Sequence, residues 1–104
     1  MTTLHIEHAI ADFDQWKAAF DRFGPARERS GVLAHRVYRP VDDARYVLID
    51  LDFAALGEAQ RFLKFLREQV WASPENSPAL AGTPTTRLVD LAESASAGWA
   101  QSPM

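Results

Sequence analysis

Hydrophobic and polar positions change period along the chain, and each change marks an element. Over residues 3–10, TLHIEHAI, they alternate: Leu4, Ile6, His8 and Ile10 lie on one side, His5, Glu7 and Ala9 on the other. A period of two is that of a β-strand. The period then lengthens. Phe13, Trp16, Phe20 and Phe23 recur at spacings of three and four, one stripe along a helix. Asp12 stands where an N-cap belongs, with Gln15 three residues on as its capping-box partner. Gly24-Pro25 predicts the end of that helix. ARERSG, 26–31, is a polar connection with room for a short helical turn. VLAHRVYR, 32–39, and RYVLIDLDF, 45–53, read as two strands joined by a turn rich in Pro and Asp. On the second of them Val47, Ile49, Leu51 and Phe53 share one face, and Tyr46, Leu48, Asp50 and Asp52 the other. Leu56, Ala59, Leu63, Leu66 and Val70, widened by Phe62 and Phe65, predict a helix over 54–71. SPENSP, 73–78, breaks it, and TPTTRLVDL, 83–91, reads as a last strand. Residues 93–104 have no period and are expected to form a flexible C-terminal tail, leaving 1–92 as a single domain. Trp99 within that tail has two readings: a bare tryptophan, or one that packs on a partner subunit or over a pocket mouth.

The order βαββαβ predicts an α+β fold of the ferredoxin-like type, an antiparallel sheet with two helices on one face. The far sheet face should be polar if it is bare. Yet Tyr46 and Leu48 lie opposite the Val47 face, and strand two sets Val32, Ala34 and Tyr38 against Leu33 and Val37. Both faces carry apolar side chains. A second copy of the chain, related by a two-fold axis, is the simplest cover, giving a dimeric α/β barrel.

Composition removes several classes of function. A formal net charge of −3 argues against broad nucleic-acid binding. Arg22, Arg27, Arg29, Arg36, Arg39 and Arg45 do concentrate in one stretch, which reads either as a solvated surface or as a site for an anionic ligand. No apolar run approaches the roughly 18 residues of a membrane span, and the N-terminus lacks the basic start and apolar core of a signal peptide. There is no cysteine, so disulfides and thiolate chemistry are out, which fits a cytoplasmic protein. No Gly-rich phosphate loop or dinucleotide fingerprint is present, and no cofactor is expected.

The stretches HIEHAIADFDQWKAAFD, GVLAHRVYR and YVLIDLDF, followed by an alanine-bearing second helix, resemble the dimeric α/β-barrel superfamily. More narrowly they resemble small bacterial proteins related to the antibiotic biosynthesis monooxygenase family. The resemblance covers about residues 3–91, and Asp12, Phe13, Trp16, Lys17, Phe20 and Asp21 carry its most specific piece. It implies a homodimer with a ligand cavity between sheet and helices. It also implies a hydrophobic, aromatic small-molecule ligand and, in some members, oxygenation without a cofactor. Others degrade haem, for which His8 or His35 would be the axial ligand. SPENSPALAGTP departs from the continuing helix that relatives carry before the last strand.

The candidate chemistry is weighed residue by residue. His5 and His8, three apart on a strand, point to opposite faces and cannot share a metal, so no metal site is expected. His8 is either a core histidine satisfied by hydrogen bonds or a general base facing a cavity. His35 carries the same two readings, while His5 belongs on the dimer side or in solvent. Trp16 and Phe20 are core by spacing. With Tyr38, and with Trp71 at the end of the second helix, they are also the candidate walls of a substrate slot. Arg36, two residues from Tyr38, either binds a phenolate or carboxylate or pairs with Asp50 or Asp52 across the strands. Asp52 is expected to cap the second helix. Three functions remain open: a cofactor-free monooxygenase with His8, His35 and Arg36 as catalytic groups, a non-catalytic binding or stress-associated dimer, and a cyclase or isomerase.

Overall fold

In the computed structural model, which describes residues 1–97, the first alternation becomes strand β1 (Thr2–Ile10). Helix α1 (Phe13–Arg22) follows at once, because Asp12 is extended and its Oδ2 accepts the Gln15 backbone N–H at 2.8 Å. The expected stop at Gly24-Pro25 is only a one-residue break at Phe23. A second helix, α2 (Gly24–Arg29), starts there with Pro25 in its first turn. Proline loses nothing in that position, since the N–H it lacks would have had no helical partner. Gly31, at φ 90°, ends α2: its N–H reaches Glu28 O at 3.2 Å, and Val32 N–H reaches Arg27 O at 3.1 Å. These are the two bonds of a Schellman cap, whose left-handed residue favours glycine.

Strands β2 (Ala34–Tyr38) and β3 (Tyr46–Phe53) form the expected hairpin. Helix α3 (Leu56–Phe65) runs into a π-helical turn, Leu66–Val70. Its exposed carbonyls are taken up by the SPENSP segment: Ser77 Oγ donates to Val70 O at 2.9 Å, and Asn76 Nδ2 to Gln69 O at 2.7 Å. Strand β4 (Leu80–Asp90) begins three residues before the expected start. The sheet order is β2-β3-β1-β4, with every neighbouring pair antiparallel. This is the ferredoxin-like arrangement, with three helices where two are predicted.

The covered sheet face presents Leu4, Ile6, Ile10, Val47, Ile49, Leu51 and Phe53, all buried against Trp16, Ala59, Phe62 and Leu63 of the helices. The far face is different. His5 sits between two carboxylates, Nδ1 at 2.7 Å from Asp50 and Nε2 at 2.8 Å from Glu7, and Tyr46 donates to Glu7 at 2.9 Å. Carboxylates only accept, so both ring nitrogens of His5 carry protons. Its pKa is accordingly raised, by Glu7 first and Asp50 second. Arg36 makes a two-pronged contact with buried Asp52, at 2.8 and 2.9 Å, and Thr3 donates to the same carboxylate at 2.8 Å. Asp52 therefore does not cap α3. The cap position is Ala55, which offers no side-chain bond. Ala34, Tyr38, Leu48 and Val89 lie between these charges, so the far face is a mixed one.

Candidate functional site

A cavity of about 80 Å³, the space open to the centre of a water-sized sphere, lies between the covered sheet face and the helices. By that measure it holds several waters. Its sheet side is Ile6, His8, Ile49 and Leu51. The α1 stripe supplies Trp16, Ala19 and Phe20, and Phe23 and Arg27 follow it. The remaining wall is Phe62, then Leu66, Val70 and Trp71 around the π turn, then Asn76–Leu80. The π turn bonds Trp71 N–H to Leu66 O at 2.7 Å and so brings Val70 and Trp71 to the same wall. The segment that departs from the family pattern is thus part of the cavity.

His8 is 5% exposed and accounts for the site's acid–base capacity. Its Nδ1 lies 2.9 Å from Ala9 O. A carbonyl accepts only, so Nδ1 carries the proton and Nε2 keeps its lone pair. Burial holds the pKa of His8 below its ordinary value near 6.5. Among the described residues Nε2 has no hydrogen-bond partner, and no fully buried side-chain nitrogen or oxygen is left unpaired. Nε2 is therefore not fully buried, and His8 is one of the residues that line the cavity. The indole N–H of Trp16, whose ring stands edge-on to His8 at 6.4 Å between centroids, likewise has no partner among the described residues and is not fully buried. The strand beside His8 is also irregular. Pairing of β1 with β4 steps from Glu7–Thr85 to Ala9–Ala81, so Gly82 (φ 73°), Thr83 and Pro84 bulge opposite His8. Bulges of this kind are common beside functional groups, where they break the ladder.

The sequence candidates divide between the two faces. His8, Trp16, Phe20 and Trp71 all line the cavity. His35 is exposed on the helix side of β2, outside the lining, with its ring 5.3 Å from Phe20. Burial, then the charges of Arg27 and Lys17, lower its pKa. Arg36 and Tyr38 share a face, as their spacing requires, but it is the far face. Tyr38 is 49% exposed there, and Arg36 is held by Asp52. Neither lines the cavity, and of the two readings of Arg36 the structure has the cross-strand pairing with Asp52.

Asn76 and Ser77 line the cavity without having been singled out in the sequence, and Arg27, also in the lining, was named there only as one of six arginines in one stretch. A signal existed for Arg27: it continues the 13, 16, 20, 23 spacing by one more step, provided the helix is carried through Gly24-Pro25. Asn76 and Ser77 had none, because their placement depends on the π turn. Among the described residues no group of three or more His, Cys, Asp or Glu is placed to hold a metal ion. No helix of the described residues is long and apolar enough to cross a membrane.

No protein-family model matches the chain, and no curated protein matches it by sequence. Solved structures do match. SnoaB, a cofactor-independent oxygenase from Streptomyces nogalater, aligns with a TM-score of 0.66 at 15% identity, over 89% of this chain and 94% of that one. A dimeric ferredoxin-like protein from an uncultured marine organism aligns at 0.65 and 12% identity, over 90% and 96%. An antibiotic biosynthesis monooxygenase aligns at 0.64 and 10% identity, over 89% and 100%. The chain therefore has the ferredoxin-like fold of these proteins, and the resemblance read in its sequence holds at the level of fold.

Proposed function

We propose that the chain is a cofactor-independent monooxygenase acting on an electron-rich aromatic molecule held between sheet and helices. The observation that carries this reading is His8: a buried, neutral imidazole whose tautomer is set by Ala9 O, with an unpaired Nε2, in the wall of a largely apolar cavity. Such a nitrogen is a general base near neutral pH. It takes a proton from a phenol or from a CH₂ flanked by aromatic rings. The resulting anion reduces oxygen. In the CH₂ case the balance is R₂CH₂ + O₂ → R₂C=O + H₂O, with all four electrons coming from the substrate, so no outside reductant is needed. Trp16, Phe20 and Trp71 provide the aromatic walls, and the Trp16 N–H is a donor for a substrate oxygen. The fold likeness to a cofactor-independent oxygenase supports the reaction class.

In this reading the chain works as a homodimer in the cytoplasm. The partner covers the far sheet face, where Tyr38 and Leu48 lie together with the Arg36–Asp52 pair, and His35 supports the site from outside the cavity through Phe20.

Oxygen uptake with anthrone-like and hydroquinone phenols tests the reaction. His8→Ala should lower turnover by about 10²–10⁴-fold while changing phenol binding little. Binding is followed by quenching of tryptophan fluorescence. Unchanged turnover in His8→Ala would remove His8 from the mechanism, and quenching without oxygen uptake in the unaltered protein would remove the oxygenase.

A further inference from the structure

Arg27 is 8% exposed, yet among the described residues no carboxylate lies within ion-pair distance of it. One of its five N–H groups is accounted for: Nη1 donates to Phe20 O at 2.6 Å, the end of α1. Its guanidinium carbon stands 3.7 Å from the centre of the Phe20 ring. Capping and stacking explain one donor and one flat face. They do not pair the positive charge: Asp21 favours it only from beyond ion-pair distance, and a cation is costly to bury without a bonded partner. No fully buried side-chain nitrogen is left unpaired, so the Arg27 nitrogens without a partner keep some open surface, and Arg27 is part of the cavity wall.

The position of that charge is specific. Trp16 and Phe20 stack at 5.0 Å between centroids, His8 stands edge-on to Trp16, and Arg27 covers Phe20. The wall therefore runs from an imidazole, across two stacked rings, to a guanidinium. It has a base at one end and a cation at the other, with apolar side chains between them. From this arrangement we infer that the cavity takes an aromatic acid, a planar phenol-type molecule whose carboxylate is held by Arg27 while its ionisable O–H or C–H faces His8. The inference rests on the reading of the cavity as an aromatic-ligand site and adds the substrate class. A single guanidinium, with no lysine in the lining, suits a monoanion with two acceptor oxygens better than a phosphate dianion. The anion binder is thus Arg27 on α2 and not Arg36 on β2.

Two probes differing only in the acid group decide this: a hydroxynaphthoate and the matching naphthol. Both are titrated into the full chain without oxygen, with tryptophan quenching as the readout. The acid should bind about tenfold or more tightly than the naphthol, the range of a charge-assisted hydrogen bond. Arg27→Gln should abolish that preference, lowering the affinity for the acid about tenfold or more relative to the naphthol, and Arg27→Lys should keep part of it. Equal binding of the two probes to the unaltered chain would overturn the inference and leave the aromatic site standing. So would an acid preference that survives in Arg27→Gln. Failure of both probes to bind would overturn the aromatic site itself, and the inference with it. The comparison in the unaltered chain decides the question even if Arg27→Gln does not fold.

Discussion

His5 and His8 stand three residues apart on one strand and meet opposite surroundings. His8 faces the helices, is almost wholly buried, and is held neutral. His5 faces away from them, lies between two carboxylates, and is held protonated. The same contrast extends across the sheet. The covered face is aliphatic and aromatic with a cavity in it. The far face is a network of Glu7, Asp50, Asp52, Arg36 and Tyr46 with apolar gaps. Alternation alone produces this division, because side chains on a strand exit to opposite faces. One strand can then carry a proton acceptor and a cation without the two interfering.

The largest way to test the contrast is to shorten a neighbouring pair. Leu4 has no exposed surface, and Leu4→Ala should cost about 2–5 kcal/mol of stability. Thr3→Ala, one residue away on the far face, loses its bond to Asp52 and should cost about 1 kcal/mol. Urea unfolding of both variants measures the difference. Equal losses would mean that the far face packs as tightly as the core.

This division was legible in the sequence, because alternation is a local property. So was Asp12, whose cap depends on residues three apart. The misreadings share a physical cause: punctuation whose meaning depends on neighbours. Gly24-Pro25 reads as a stop but serves as the first turn of α2, and this hid Arg27. The last strand reads as starting at Thr83, yet Gly82, Thr83 and Pro84 form the bulge opposite His8 within a longer β4. Asp52 reads as a cap because it is close to α3 in sequence, but Arg36 on the adjacent strand claims it. The cavity was legible only in part. His8, Trp16, Phe20 and Trp71 were visible as types at spacings, while Asn76 and Ser77 reach it through a π turn that no spacing announces.

A smaller effect on the folded chain, but a decisive one for its assembly, is expected at Leu48. This residue lies on the far face, across from Glu7 on one side and Tyr38 on the other. An arginine there has Glu7 as its cross-strand neighbour, so Leu48→Arg should change monomer stability by only about 0.5 kcal/mol. In the proposed dimer the same charge is buried against a second copy and has to be desolvated. Light scattering should then show the mass falling from two chains to one. A mass of two chains in Leu48→Arg would mean that the partner does not sit on this face.

The smallest effect is in the pH dependence of stability, and it separates the histidines directly. His8 and His35 have pKa values lowered on folding, so the unfolded chain binds more protons there. Their stabilisation is full above their ordinary value near 6.5 and is lost as pH falls through the folded values. His5 is raised, so its contribution is full below 6.5 and is lost as pH rises through its folded value. In the unaltered protein stability should therefore rise with pH over the range below 6.5 and fall over the range above it. His5→Gln leaves only the lowered pair, and stability should climb with pH until near 6.5 and then level. The double variant His8→Gln with His35→Gln leaves only His5, and stability should be level on the acid side and decline above 6.5. His5 is partly open to water, which screens its carboxylate partners and keeps the slope shallow. Urea unfolding across both ranges gives both curves. Slopes of the same sign in the two variants would mean that the two faces of β1 do not impose opposite protonation states on their histidines.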